Sequence, residues 1–431
     1  MSFAVDADTP EDPEDTEYDS LLGSQDDAHT HEFDSRPKPE YVKGPVNGFE
    51  LLDATMNELG TGKFHYILMA ICGYGFFADA AETQMLSLLY PVFMEEFNVD
   101  EEELALIGSL TNAGMFVGAP TFGKFSDQYG RKFAFIISLT ICFIASFASS
   151  FATNVESFAA ARFFLGIGYC GNLITCTTLL VEFIPAQARG WYVALTSVAF
   201  GAGAIIISAI SWAVIPTIGW QWLIRIAAFM TLPVLLFLCG IPESPRFLLS
   251  KKRYSKVMQV MQKVAKDNKT QLPPYFNEKT LISLSVDDGD YEKLSVRRSL
   301  SQLFTRKSLK VLGPLFLVWF TNSFATTIMN WIPLEAEKHF PKDEDIQFKT
   351  ALILASGILI GSIAQTFVVE RVSRLFQIRG GFVSAVVCTT LLGFANTPSG
   401  LYAASFFLCF FEQFVIGTLY LYTPELFQED R

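Results

Sequence analysis

The 431 residues describe an all-α membrane protein of about ten transmembrane helices. Three features lead there. Apolar residues make up 51% of the chain and charged residues only 18%, against about 25% charged in soluble domains. The apolar residues fall into blocks long enough to cross a ~30 Å hydrocarbon core, which takes about 20 residues of helix. Lysine and arginine collect in alternate connecting segments, the asymmetry that orients multi-pass chains.

Ten blocks qualify, near residues 65–93, 103–123, 132–152, 157–182, 191–215, 220–241, 309–333, 348–369, 380–397 and 400–423. Residues 1–60 form an acidic, proline-containing tail with little periodicity, expected to be disordered. No signal peptide precedes the first block, so that block serves as its own insertion signal. The plan is a tail at 1–60, six spans within 61–246, a polar linker at 247–308, and four spans within 309–431. In the linker, Lys251–Lys266 reads as an amphipathic helix that Gln271–Pro274 ends. With the N-terminus inside, the inner segments hold 27 of the 32 lysines and arginines, and the outer loops hold Lys338, Lys342 and Lys349.

Several classes drop out. The net charge of −12 comes largely from the first 50 residues and a few loops, and with no basic face or RNA-binding signature no nucleic-acid partner is expected. The seven cysteines sit inside apolar blocks and read as small packing residues. The four histidines are scattered, so neither a metal site nor any other cofactor is expected. No phosphate-binding glycine loop is present, which argues against an ATP-driven pump. The partners expected are the lipid bilayer and a small solute.

Motifs sharpen this reading. After the second span, Gly123-Lys124-Phe125-Ser126-Asp127-Gln128-Tyr129-Gly130-Arg131-Lys132 fits G-x-x-x-D-x-x-G-R-[RK]. Gly123 and Gly130 are expected to permit a tight inner turn, Asp127 to face a helix N-terminus, and Arg131 to pair with an acid on a neighbouring helix. In the fourth span, Arg162 is followed by Gly166, Gly168 and Gly171, which let helices approach closely. Glu182, Pro185, Arg189 and Gly190 come next, and the sixth span ends in Pro242-Glu243-Ser244-Pro245-Arg246. The second half repeats the plan more faintly, with Glu370-Arg371-Val372-Ser373-Arg374-Leu375 and Tyr422-Thr423-Pro424-Glu425-Leu426-Phe427.

With these motifs the chain resembles the major facilitator superfamily, in its sugar-porter-like branch. A narrower resemblance, to the synaptic vesicle 2-related proteins, rests on Gly62-Lys63-Phe64, Ala78-Asp79-Ala80-Ala81-Glu82, Ser126–Lys132, Leu303-Phe304-Thr305 and Trp319-Phe320-x-Asn322-x-Phe324. The resemblance implies a major facilitator fold in two parallel halves, with the substrate near the midplane between them. It also implies alternating access, with the motif residues forming the inner gates.

Asp79 and Glu82 lie at i, i+3 inside the first span and share a helix face. Ionisable groups within a span are costly and face the bundle interior or a wet cavity. Arg162 is the expected partner. By the resemblance to sugar–proton symporters, Glu82 and Arg162 form a proton-responsive pair with Asp79 beside them; a static ion pair is the other reading. Glu412, in the tenth span, either lines the pocket and favours a cation or faces lipid. Asn322 and Asn330, with Gln84 and Gln413, add polar groups, and Trp319, Phe320, Trp331 and Tyr420 add aromatic ones. An acid-rich, aromatic-rich cavity is therefore expected.

Function follows as secondary or facilitative transport of a small organic ion, with protons as a coupling partner; the alternative is a non-transporting vesicle protein acting as an adaptor or regulator. Glu17-Tyr18-Asp19-Ser20-Leu21-Leu22 fits the acidic dileucine pattern and implies sorting adaptors and an intracellular vesicle or endosomal membrane, the plasma membrane being the other site. The second half has four spans where the superfamily plan has six. The expectation is a C-terminal half truncated after the tenth helix, with Asp127 lacking a docking partner, Glu412 turned towards hydrocarbon, and transport weak or absent. The topology itself is testable: an epitope at the N-terminus or within 247–308 should be reached only after permeabilisation, and one within 334–347 from outside intact cells. A linker epitope exposed on intact cells would overturn the plan.

Overall fold

A computed structural model describes residues 47–286 and 305–426. Every regular element among them is a helix. Helix α1 (Gly48–Leu59) precedes the first span, α2 (Lys63–Phe97). The second to fifth spans are α3 (Glu101–Tyr129), α4 (Arg131–Ser149), α5 (Val155–Phe183) and α6 (Arg189–Ile218). The sixth is broken into α7 (Trp220–Phe229) and α8 (Leu232–Leu238), with Pro233, which cannot donate a backbone hydrogen bond, in the first turn of α8. The linker holds α9 (Pro245–Ser250), α10 (Tyr254–Asp267) and α11 (Glu278–Val286). The second half runs α12 (Arg306–Met329), α13 (Ile332–His339), α14 (Ile346–Val368), α15 (Arg374–Gly393) and α16 (Pro398–Leu426). Ten of the described helical stretches are long and apolar enough to cross a membrane, and the fold is that of an all-α membrane protein.

Local chemistry sets the helix ends. Asp100 accepts from the Glu103 amide while Glu103 reaches back to the Asp100 amide, a reciprocal cap that starts α3. Asn154 accepts from the Ser157 amide at 2.9 Å and starts α5. Gly219, at φ 88°, turns the chain between α6 and α7.

Small residues let the spans touch backbone to backbone. A Cβ on Gly114 of α3 would lie 2.0 Å from the Phe163 carbonyl oxygen of α5, and one on Gly166 would lie 2.1 Å from the Thr111 carbonyl oxygen. The two halves meet through α6 and α14, where Gly201 lies against the Leu359 backbone.

Residues 48–59 depart from the disordered tail expected over 1–60. Asn47 caps α1 by accepting from the Glu50 amide, and Leu51, Leu52, Met56 and Leu59 are buried against Phe247, Leu248, Val257 and Met261 of α9 and α10. Asp53 pairs with Arg246, 2.6 Å from its Oδ2. Asn57 Oδ1 accepts from the Ala186 amide at 3.2 Å, which joins α1 to the loop between α5 and α6. The amphipathic linker helix is present as α10, its apolar side buried in the same cluster. Asn268, part of a glycosylation sequon, accepts from the Phe64 amide at 3.0 Å. The tail before residue 47, including Glu17, Leu21 and Leu22, lies outside the described residues, as do Leu303, Phe304 and the side chain of Glu425.

The backbone contact between α3 and α5 predicts that Gly166→Val prevents normal assembly. A branched side chain there must push two backbones apart, a loss of roughly 1–3 kcal/mol or more. Purified Gly166→Val protein should melt lower or run as an aggregate by size exclusion, whereas Gly123→Ala, with open space around its Cβ, should behave as wild type.

Candidate functional site: a buried ion pair, a central cavity and two unequal ends

The first half encloses an ion pair. Arg162 Nη1 of α5 lies 2.8 Å from Glu82 Oε2 of α2, with side-chain exposures of 1% and 4%. Ser146 of α4 donates to Glu82 Oε1 at 2.5 Å, so three helices meet at one carboxylate. The guanidinium also sits over the Phe158 ring, 4.7 Å from its centroid. Asp79, one turn away on α2, is not bonded to Arg162; it accepts from Asn172 Nδ2 at 2.6 Å. Of the expected trio, Glu82 and Arg162 are paired and Asp79 has an amide partner of its own.

This group does not line the central cavity. The cavity lies between the halves, walled by α2, α5 and α6 on one side and by α12, α14 and α16 on the other. On α2 the wall is Ala80, Thr83, Gln84 and Ser87, the face adjoining the one that carries Asp79 and Glu82. The space open to water centres is about 170 Å³, where one water needs roughly 10–15 Å³, so a small organic molecule fits. Glu412 of α16 lies on the wall, as do Asn330 and Gln413. Asn322 is buried but off the wall.

The expectation of an acid-rich cavity is corrected to a single acid: among the described wall residues Glu412 alone is ionisable as a carboxylate. Nor does Glu412 face hydrocarbon. It is 5% exposed, takes hydrogen bonds from Thr326 at 3.4 Å and Gln413 at 3.1 Å, and opens onto the cavity. The aromatic wall also differs from expectation. Tyr420 is on it with Phe76, Tyr169 and Phe200, whereas Trp319 donates to Thr423 at 3.0 Å, Phe320 is exposed, and Trp331 packs on Tyr90 at the outer end.

The outer end is closed across the halves. Trp331 meets Tyr90 with centroids 4.9 Å apart. Trp212 Nε1 donates to Asp345 at 3.0 Å, and Lys338 of α13 bonds to Glu101 of α3. Beside them the Lys349 ammonium, at 2.7 Å, holds the Asp343 carboxyl below its ordinary range. Towards the inner end a second cavity, open to water centres over about 620 Å³, shares Thr177, Val193 and Tyr420 with the central one. Val193, Val369 and Leu421 pack together where the two meet. Contacts between the halves thus lie at the outer end, and the cavity adjoins the inner one beside Val193, Val369 and Leu421.

The first-half motif residues form one polar network at the inner end. Arg131 binds Glu182 of α5 at 3.2 Å and the Ser126 carbonyl at 2.9 Å. Asp127 pairs with Arg131 at 2.9 Å and is 69% exposed; among the described residues no helix N-terminus receives it. Glu243 accepts from the Lys132 amide at 3.0 Å. Gly130 takes φ 112° and has no room for a Cβ beside Glu243. Gly123 instead lies within α3 and takes no part in the turn. Arg189 donates to the Ile184 carbonyl at 3.2 Å and lies 3.9 Å from Asp53. In the second half, Glu370 stands beside Gly190 in the first turn of α6, where a carboxylate is favoured by the exposed amides. Arg371 and Arg374 line the inner cavity with it, and Arg374 reaches back to the Val369 carbonyl.

A model of the Major Facilitator Superfamily matches residues 72–431. The chain belongs to that superfamily. It is 29% identical over 376 residues to the niacin transporter NiaP of Acinetobacter baylyi, covering 87% of this chain and 83% of the relative. It is 27% identical over 415 residues to organic cation/carnitine transporter 7 of Arabidopsis thaliana, covering 87% and 82%. It is 28% identical over 295 residues to the synaptic vesicle 2-related protein of Bos taurus, covering 68% of this chain and 51% of that one. Among solved structures it is similar to the partially occluded inward-open form of the xylose transporter XylE from E. coli, at TM-score 0.66 and 17% identity over 82% of this chain and 83% of that one. This member of the superfamily is therefore a multi-pass membrane protein with the major facilitator fold.

Two residues of the ion-pair cluster escaped the sequence reading. Asn172 had a usable signal, an amide inside a span, where polar side chains seek partners. Ser146 had none, since serine within a span commonly bonds to its own helix backbone. The pairing predicts a double-mutant result. Arg162→Leu strands a buried carboxylate and should destabilise the purified protein by roughly 3–5 kcal/mol. Adding Glu82→Leu should restore much of that loss in a thermal-unfolding measurement. Additive losses would show that the two groups are not coupled.

Proposed function

We propose that this protein moves a small organic ion across a membrane by alternating access, with the Glu82–Arg162 pair responding to protons. The observation that carries this reading is the central cavity: both halves build its wall, contacts between the halves lie at its outer end, and a second cavity adjoins it at the inner end. That is the arrangement a two-state rocking mechanism needs, because one rotation of the halves breaks the outer contacts and closes the inner end. The relatives named as niacin and organic cation/carnitine transporters support a small organic solute.

The pair supports proton coupling by its position. It joins α2, α4 and α5 directly behind the α2 face that lines the cavity. Protonating Glu82 weakens its hold on Arg162, so the tilt of α2 and the protonation of Glu82 are linked free energies. Asp79, held by Asn172, is placed to position this segment of α2. The synaptic vesicle 2-related relative supports a vesicle membrane as the location, with the plasma membrane as the other site.

Proteoliposomes holding the full chain test this. Uptake of organic ions, followed with and without an inward proton gradient, should be gradient-driven in the wild type. Glu82→Gln keeps a hydrogen-bond acceptor for Arg162 and removes the titration. It should reduce gradient-driven uptake to background and leave solute exchange, which needs no net proton movement. Full gradient-driven uptake by Glu82→Gln would refute the coupling role.

A further inference from the structure

We propose that the central cavity selects a positively charged organic solute and that Glu412 is its counter-charge. The inference rests on the transport reading for its purpose, and on the cavity alone for its chemistry. Among the described wall residues there is no lysine, arginine or histidine, and the one ionisable carboxylate is Glu412. The remaining polar groups are neutral amides and hydroxyls such as Gln84, Asn330 and Thr326. An organic anion entering this space meets no cation, and its charge would face a carboxylate.

Of the three described membrane acids with hydrogen-bonded partners, Asp79 has the Asn172 amide and stands off the wall; the other two make the contrast plain. Glu82 has an arginine at 2.8 Å. Glu412, equally buried, has only neutral donors: the Thr326 hydroxyl and the Gln413 amide. Ser362 donates to Gln413 Oε1 at 3.1 Å, which fixes the amide with its nitrogen towards Glu412. The carboxyl group is thereby held in place with no cation of the protein hydrogen-bonded to it among the described residues. A buried carboxylate that is hydrogen-bonded but lacks an internal cation gains most from a cation supplied by a ligand. The wall adds aromatic rings, Tyr420 among them, whose faces attract organic cations. The volume suits a monocation of one ring or a few alkyl groups.

Three probes of one ring size separate the charge from the shape: N-methylnicotinamide methylated on the ring nitrogen as cation, nicotinamide as neutral form and nicotinate as anion. Tetraethylammonium and choline serve as further cations. Binding to the purified full chain in nanodiscs is read by ligand-induced thermal shift and by radioligand displacement. At least one cation should bind and nicotinate should be the weakest of the ring series. Glu412→Gln should weaken the cation about 30-fold or more, the loss expected when one partner of a buried charge pair is removed, while its melting temperature without ligand stays the same or rises. Glu412→Asp should retain part of the affinity. The proposal is overturned if none of the three cations binds, if nicotinate binds more tightly than N-methylnicotinamide, or if Glu412→Gln leaves cation affinity unchanged. Glu412-dependent cation binding without uptake into proteoliposomes would sink the transport reading and leave the cation site standing; uptake of nicotinate with no cation binding would do the reverse.

Discussion

A guanidinium cannot be left alone in hydrocarbon, and the first half of this protein is arranged around that fact. Arg162 is sealed among α2, α4 and α5, so a carboxylate must come to it, and α2 has to present Glu82 towards its own half. Because successive side chains on a helix advance by a fixed angle, this choice fixes the rest of α2. With Asp79 and Glu82 turned into the first half, Ala80, Thr83, Gln84 and Ser87 are left to face the second half and form the cavity wall. One electrostatic requirement therefore orients the helix that both holds the ion pair and lines the cavity. Glycine contacts set the arginine-bearing α5 backbone to backbone against α3.

The two halves share a plan and differ in how they use charge. At the inner end the first half ties Asp127, Arg131, Glu182 and Glu243 into a network that joins the starts and ends of its spans. The second half sends Glu370 across to the first turn of α6 and secures its own turn by bonds to backbone carbonyls, from Arg374 to Val369 and from Gln377 Nε2 to Val372 at 2.7 Å. A contact between a carboxylate and a helix terminus is weaker and more exposed to solvent than an arginine–carboxylate pair. The contact between the halves at the inner end is accordingly a modest one, and the contacts within the first half are the strong ones.

Helix α1 gives the inner end a further layer. Its apolar face completes the cluster formed by α9 and α10, and Asp53 reaches Arg246 and the neighbourhood of Arg189. The segment before the first span, the linker after the sixth, and the loop between the fourth and fifth spans are thus one packed body. Arg189, which begins α6, ties this body to the helix that packs on α14.

Much was legible in the sequence. Ten apolar stretches and the motifs between them can be read directly, because a bilayer imposes length and composition on each span separately. That Arg162 needs an acid of the first span was legible for the same reason, since opposite charges inside spans must find each other; that the acid is Glu82 and not Asp79 was what the resemblance to sugar–proton symporters implied. Three matters were decided only by tertiary structure. The spacing of Leu51, Leu52, Met56 and Leu59 suits a helix, yet twelve residues do not hold a helix alone, and the partners of α1 lie some 200 residues onward in α9 and α10. Whether Glu412 faced lipid or a cavity depended on how α16 is rotated against α12 and α14, which hydropathy cannot report. That Asp79 and Glu82 stand behind the cavity, leaving a single acid on its wall, depended on which face of α2 the buried arginine claimed. Periodicity tells that a helix has two faces; only packing decides which neighbour each one meets.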